Sequence, residues 1–203
     1  MKAGQDETRA LNAKLWARHP EDYYIEPDWL DDAIFAAENF EGPIYDPACG
    51  SGRIVRAAAR AGYYALGSDI VNRCAECAFT KSFLDCDQFV QNIVSNPPFG
   101  IADAFIQHAL CHATRKVVMI LPAKFTSSDR RSRWLETTPL RRNLDIVPRP
   151  SMPPGPVIEA GFKPGGGKEN FKVLVWEAGY VGVPESGWLR KPASAKPAGS
   201  EAA

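Results

Sequence analysis

Asp46-Pro47-Ala48-Cys49-Gly50-Ser51-Gly52 follows the short run Gly42 to Tyr45 and leads into Arg53 to Ala61, a segment rich in alanine and arginine. The succession reads as strand, tight turn and helix, where an open α/β sheet binds ligands beyond the carboxyl ends of its strands. Glycine has no Cβ, so the backbone of such a turn can approach a ligand that other residues would repel. The third glycine of the dinucleotide fingerprint is missing, and so is the Gly-Lys-Ser/Thr of a phosphate loop, so pyrophosphate and triphosphate are poorly served. Instead Asp46 opens the turn, and a second acid, Asp69, closes the next strand, Tyr63 to Ser68, 23 residues on. An acid at the end of the second strand accepts hydrogen bonds from ribose hydroxyls, and an acid at the first turn suits an ammonium. S-adenosylmethionine carries both groups.

Outward from this turn the chain alternates short apolar runs with helical patterns. Val71 to Thr80 has a helical pattern, and Asn92 to Ser95 is a buried strand stopped by Asn96-Pro97-Pro98, because two prolines cannot remain in a central strand. Ile101, Phe105, Ala109 and His112 are spaced as on one helix face, predicting a helix from Ile101 to Ala113. Lys116 to Leu121 is the most apolar strand. Ser128 to Leu135 fits a helix and Leu144 to Val147 a strand. Pro148 to Asn170 then carries six prolines and five glycines in 23 residues, a long irregular segment of the kind that serves function. Phe171 to Glu177 alternates like a last strand at or near a sheet edge. Strands alternating with helices, with apolar strands among them, predict a parallel α/β sheet covered on both faces. The expected organisation is an N-terminal helical or extended arm over 1–21, one domain over 22–183, and a disordered Pro/Ala/Ser/Lys tail from 184 to 203.

The 203 residues, 45% hydrophobic and 24% charged, suffice for a core without staples. No apolar stretch is long enough to cross a membrane, and Met1 to Arg9 lacks a signal-peptide core, so a cytoplasmic location with no membrane partner is expected. The five cysteines, an odd number, fit reduced thiols. Cys74-x-x-Cys77 has no second such pair, and His112 lies on an apolar helix face. Packed side chains are therefore expected there, and no metal. The formal charge is zero but unevenly spread: the first hundred residues hold 9 Lys and Arg against 15 Asp and Glu, the remainder 15 against 9. The positive excess lies between Arg115 and Arg149, so one face could suit a polyanion, although a solvated helix surface has the same composition.

Asp46 to Gly52, followed 27 residues after Asp69 by Ser95-Asn96-Pro97-Pro98-Phe99, resembles the S-adenosylmethionine-dependent amino-methyltransferases. The resemblance is to the adenine-N6 DNA methyltransferases in particular, most closely the small solitary enzymes of phages and prophages, and it covers about residues 22–177. It implies a Rossmann-like class I methyltransferase fold: a seven-stranded, mostly parallel sheet with helices on both faces and an antiparallel last strand, Phe171 to Glu177. By the same resemblance Asp46, Ala48, Cys49, Gly50 and Gly52 form the cofactor turn, and Asp69, with Ile70 beside it, holds the ribose. Ser82-Phe83-Leu84 stands where the family has Asp-Phe-Leu, so Phe83 and Leu84 would sandwich the cofactor adenine, with Ser82 or Asp85 near its amino group. Tyr24-Ile25-Glu26-Pro27 stands where the family has Tyr-Pro-Thr-Pro, with Tyr24 near the methionine end and Glu26 in place of threonine.

The chemistry of Asn96 to Phe99 follows from the substrate. An exocyclic amine on a base is a weak nucleophile because its lone pair is conjugated with the ring. The side-chain carbonyl of Asn96 and the main-chain carbonyl of Pro97 can accept its protons, Pro97 and Pro98 hold these acceptors rigid, and Phe99 offers a flat surface to a flipped or unpaired base. No metal or separate strong base is required. The same motif type occurs in enzymes that methylate adenine or guanine amines in RNA, and in those that methylate a glutamine side chain, so the chemistry alone leaves these open. Resemblance and basic charge favour nucleic acid, DNA ahead of RNA, with Lys124, Arg130, Arg131 and Arg149 as phosphate contacts. No segment is long enough for a separate recognition domain; low specificity, a short site, a homodimer or a recognition partner is expected.

Overall fold

Val117 to Leu121 is apolar at every position, and in the computed structural model, which describes residues 21–161, 163 and 165–192, both faces of this run are covered. It forms the middle of β5 (Ala113–Pro122). Around it lie β1 (Ile44–Asp46), β2 (Ala65–Asp69), β3 (Cys77–Thr80), β4 (Val90–Ser95), β6 (Leu140–Val147), β7 (Phe171–Glu177) and β8 (Glu185–Arg190). The eight strands make one sheet in the order β3-β2-β1-β4-β5-β7-β6-β8. Only β7 runs antiparallel, between β5 and β6. This is the Rossmann-like class I methyltransferase fold with one strand added.

The period of two along each strand divides the core. Val94, Val118 and Ile120 face one layer, where α1 (Asp28–Ala37) and α2 (Arg53–Arg60) bury Leu30, Ile34, Ile54 and Ala58. Ile93, Val117, Met119 and Leu121 face the other layer, where α3 (Ala102–His112) and α4 (Asp129–Glu136) bury Phe105, Ile106, Ala109 and Leu135. Each fully buried Ile or Leu contributes about 1.5–3 kcal/mol relative to exposure. Among the described residues no helix is long and apolar enough to cross a membrane.

Four expectations are corrected. Val71 to Thr80 is a turn followed by β3: Asp69 Oδ1 takes the Val71 amide (3.1 Å), and Cys77 is buried against Cys49 and Val55, so pairing with β2 outweighs local helical preference. Phe171–Glu177 is neither the last strand nor an edge strand, since Val173 to Trp176 are buried on both faces between β5 and β6. The edge is β8, drawn from the stretch expected to be a disordered tail. It pairs parallel with β6 from Arg142↔Glu185 to Val147↔Arg190 and buries Leu189. The basic stretch does not form one face. Arg115, Lys116, Arg141 and Arg142 lie at the starts of β5 and β6, tied to Glu41, Glu38, Glu177 and Glu38. The arm expected over 1–21 falls, except for Glu21, outside the described residues, as do 193–203.

Candidate active site

The carboxyl ends of β1, β2 and β4 meet around a cavity of about 360 Å³, within the usual size of a small-molecule site. At its base the end of β1 is joined to the end of β4, since Ser95 Oγ donates to Asp46 Oδ1 (2.8 Å). The turn after β1 is held from β2: Cys49 N donates to Ser68 O (2.9 Å), and Gly50 N to Asp69 Oδ2 (2.8 Å). Gly50 has φ +48°, and a Cβ there would stand 2.9 Å from the Tyr23 ring. The turn's path between Asp69 and Tyr23 thus requires glycine. Gly52, φ +79°, caps α2.

The structure brings together most of the residues expected at the cofactor. Asp46, Ala48, Cys49 and Gly50 line the cavity on the β1 side, Asp69 and Ile70 at β2, Phe83 and Leu84 opposite, and Tyr24 and Asn96 at the remaining wall. Ser82 also lines it, whereas Asp85 does not. Phe83 is buried with its ring against Phe105 and His108, both at 4.7 Å, so that wall is fixed by the core. Gly52 does not line the cavity. Neither do Pro97 and Phe99, although Pro98, Gly100 and Ile101 do. Phe99 is half-buried, stacked on Tyr24 (centroids 5.8 Å apart, 11° between planes) and tilted against Phe171.

The electrostatics of the floor are unusual. Asp46 and Glu26, which line the cavity, are buried, and so is Asp31 of α1, which does not line it. Burial pushes the Asp46 carboxyl up to about 8, against the opposing effect of its hydrogen bonds from Ser95 and the Ala48 amide. Burial likewise raises Glu26, and it raises Asp31 well above the carboxylate range with help from Glu26 and Asp46 nearby. Arg53 answers part of this charge, donating to the Glu26 carbonyl (3.0 Å) and pairing with Asp28 (3.1 Å). Buried acids that resist ionisation favour a cationic ligand, which stabilises their charged form and lets them ionise.

At the end of β4 the Asn96 amide is oriented by its neighbours. Nδ2 donates to Glu26 Oε2 (2.8 Å) and to the Tyr24 carbonyl (3.1 Å), while Oδ1 is buried with no hydrogen-bond partner among the described residues. Both neighbours are acceptors, so only the NH₂ side can face them and the oxygen must face the other way.

Several participants were not legible in the sequence. Arg73 pairs with Asp69 Oδ1 (3.0 Å) and with Glu21, and lies over the Tyr23 ring at 4.4 Å. Asp22 Oδ2 accepts from the Gly100 amide (2.6 Å), steadying the segment after Asn96-Pro97-Pro98-Phe99. The Pro/Gly-rich segment contributes too: Ile25 N donates to Pro153 O (3.0 Å) and Gly155 N to Tyr23 O (2.9 Å), so its backbone holds the wall that carries Tyr24 and Glu26. A Cβ on Gly155 would run into the Tyr23 ring. The segment also contains a short helix, Gly155–Glu159. The only sequence signals for this wall were the resemblance at Tyr24 and the misfit at Glu26.

Lys124 and Arg149 follow the carboxyl ends of β5 and β6 and are exposed, on the sheet end that carries the cavity. Arg149 Nε donates to Asn170 Oδ1 (2.7 Å). Arg130 and Arg131 share one carboxylate, Asp103, at 2.7 and 2.8 Å.

No family model and no curated protein sequence matches the chain. Among solved structures, it is similar to a Listeria monocytogenes protein assigned to the class I S-adenosylmethionine-dependent methyltransferases, with 11% identity and a TM-score of 0.57, over 92% of this chain and 71% of that one. It is also similar to the methyltransferase subunit of a type I restriction-modification system from Streptococcus thermophilus, with 13% identity and a TM-score of 0.53, over 84% of this chain and 48% of that one. A third likeness is to the M protein of the type I restriction enzyme EcoKI, with 13% identity and a TM-score of 0.56, over 78% of this chain and 44% of that one. The chain spans just under half the length of these two restriction subunits. What is shared at such identities is the class I methyltransferase fold.

Proposed function

We propose that the protein transfers the methyl group of S-adenosylmethionine to the exocyclic N6 amine of adenine in DNA. The observation that carries this reading is the buried Oδ1 of Asn96, without a hydrogen-bond partner among the described residues, at the end of β4 beside a cavity lined by the buried acids Asp46 and Glu26. A buried acceptor without a partner costs about 1–3 kcal/mol, and an amine from the substrate would satisfy it.

The cavity fits the cofactor. Asp69, at the end of β2, is the acid for the ribose. Phe83, Leu84 and Ile70 offer apolar surface to the adenine, Gly50 leaves room for close backbone approach, and Asp46 and Glu26 suit the cationic methionine end. When bound, S-adenosylmethionine supplies a methyl group on a positively charged sulfur. The chain's own residues do the rest. Asn96 Oδ1 accepts a hydrogen bond from the target amine and draws its lone pair out of conjugation, the Pro97 carbonyl offers a second acceptor, and Pro98 keeps both rigid, so little reorganisation is needed; the amine's surplus proton passes to solvent after transfer. Phe99 receives the face of the flipped or unpaired base. In this reading Lys124, Arg130, Arg131 and Arg149 are the phosphate contacts. The domain over 22–183 is extended by β8, and a second copy or recognition partner would supply sequence specificity.

The test is transfer of labelled methyl to duplex DNA, single-stranded DNA and RNA in parallel, with products digested to nucleosides. N6-methyladenine from DNA is the expected product. Label in RNA alone, or in none of the three while the cofactor binds, would overturn the DNA assignment.

A further inference from the structure

Glu26 stands where the family resemblance calls for threonine, and its position gives that departure a purpose. Its carboxylate is buried, accepts from Asn96 Nδ2 at 2.8 Å, and is continuous with the cavity wall. Among the described residues, one other group, the Tyr24 carbonyl at 3.1 Å, holds the same amide, and the amide oxygen has no partner. Building on the methyltransferase reading, we infer that Glu26 is a positioning residue that fixes the Asn96 amide with its oxygen toward the target amine and makes that oxygen a stronger acceptor.

Two effects follow from elementary chemistry. A carboxylate only accepts, so it binds the NH₂ side of the amide and excludes the flipped rotamer, in which the NH₂ would face the amine and repel its protons. A negative charge on the NH₂ side also pushes electron density toward Oδ1, and charge-assisted hydrogen bonds are roughly twice as strong as neutral ones. Threonine in this place would supply neither the charge nor exclusive acceptance, since its hydroxyl both donates and accepts.

Protonation of Glu26 would cancel both effects. The new O–H competes for Oδ1, and the charge is gone. The groups facing Glu26 set how readily that happens: Arg53 from α2 favours the carboxylate, while Asp28 and Asp31 from α1, Asp46 at the end of β1, and burial itself favour the acid. Tyr23, in the same wall, also senses this charge and is pushed up to about 12, mainly by its own burial. Turnover at saturating cofactor is therefore expected to rise as Glu26 ionises. Saturation matters because Asp46 titrates beside the same cavity and would otherwise enter through cofactor binding.

The experiment has two channels on the full chain. The first uses no acceptor: the side-chain NH₂ resonances of Asn96 in ¹⁵N-labelled protein, assigned by their loss in Asn96→Ala, are followed from about pH 5 to 9. In the wild type they are expected to be shifted by the Glu26 charge, and to move wherever Glu26 titrates; in Glu26→Gln, which keeps size and shape, the shift is expected to be lost and the resonances to stay flat. The second is kcat at saturating cofactor with a DNA acceptor. Glu26→Gln is expected to lose on the order of 10- to 100-fold together with the acidic limb of the pH profile. Glu26→Asp, one methylene short of Asn96, should be as poor. Asn96 side-chain resonances that are the same in Glu26→Gln as in the wild type at every pH, or a Glu26→Gln enzyme that matches wild-type kcat at every pH, would overturn the inference. The two readings fail separately: absence of methyl transfer by the wild type counts against the function, whereas the amide titration is read without any acceptor.

Discussion

The two halves of the sheet's carboxyl edge are built on opposite principles. On the β1–β2 side, acids are buried and tied by hydrogen bonds: Asp69 to the Gly50 amide, Asp46 to Ser95 and the Ala48 amide. On the β5–β6 side, the charges are arginines and a lysine at the surface, with Arg130 and Arg131 both leaning on Asp103. A small rigid ligand bearing a cation suits the first side and a long flexible polyanion the second. Asn96 stands between them.

The sharpest way to break this contrast is to remove the group on the boundary. Asn96→Ala is expected to lower kcat on the order of 10²- to 10³-fold, while cofactor affinity, measured calorimetrically, stays near the wild-type value. Equal losses in both would merge the two sides into one site. Next in size, Asp69→Ala is expected to weaken cofactor binding roughly 10- to 100-fold, as fits a charged hydrogen-bonding group; unchanged affinity would remove its ribose role.

The buried side also carries a pH signature. With Asp46 raised to about 8, the free protein holds a proton there at neutral pH, and a cation entering the cavity expels it. Cofactor affinity is expected to rise between about pH 6 and 8 and then level off, with proton release on binding visible as a dependence of the calorimetric heat on buffer. The unliganded fold responds in the opposite sense. A carboxyl whose folded value lies above its unfolded value stabilises fully at low pH, and that contribution is lost as pH rises through about 8. The melting temperature should therefore fall over this range without cofactor, and fall less with it.

The smallest effects belong to the exposed side. Neutralising Lys124 and Arg149 together should weaken DNA binding several-fold and reduce the salt slope by about 1–2. Neutralising Arg130 and Arg131 should do less, because Asp103 already cancels one of their charges. Neutralising Arg115 and Arg141, at the opposite end of the strands and paired with Glu41 and Glu177, should leave DNA binding unchanged. A reversed order would put the nucleic acid on the other end of the sheet.

The same contrast explains what the sequence disclosed. Asp46 to Gly50, Asp69 and Asn96 were expected at the cavity and line it, because each lies in a short stretch in which backbone path and chemistry require the same residues, whereas Gly52, Pro97 and Phe99 from the same stretches do not line it. The basic stretch was misread because its partners, Glu38 and Glu41, lie more than 70 residues away in the chain, and sequence shows a charge without its counter-charge. β8 was missed for a similar reason: its alignment along β6 and the burial of Leu189 are tertiary, while its composition is that of a tail. Glu26 was visible only as a departure from a motif. Its meaning needed the 2.8 Å contact with Asn96.

The most direct test of the central claim is the base composition of DNA from a bacterial host that has no adenine methylation of its own and expresses either the wild-type protein or Asn96→Ala. N6-methyladenine in DNA from the wild-type culture and none from the variant is the expected result. Its absence from both, in cells where the purified protein is shown to bind S-adenosylmethionine, would contradict the assignment of DNA adenine as the acceptor.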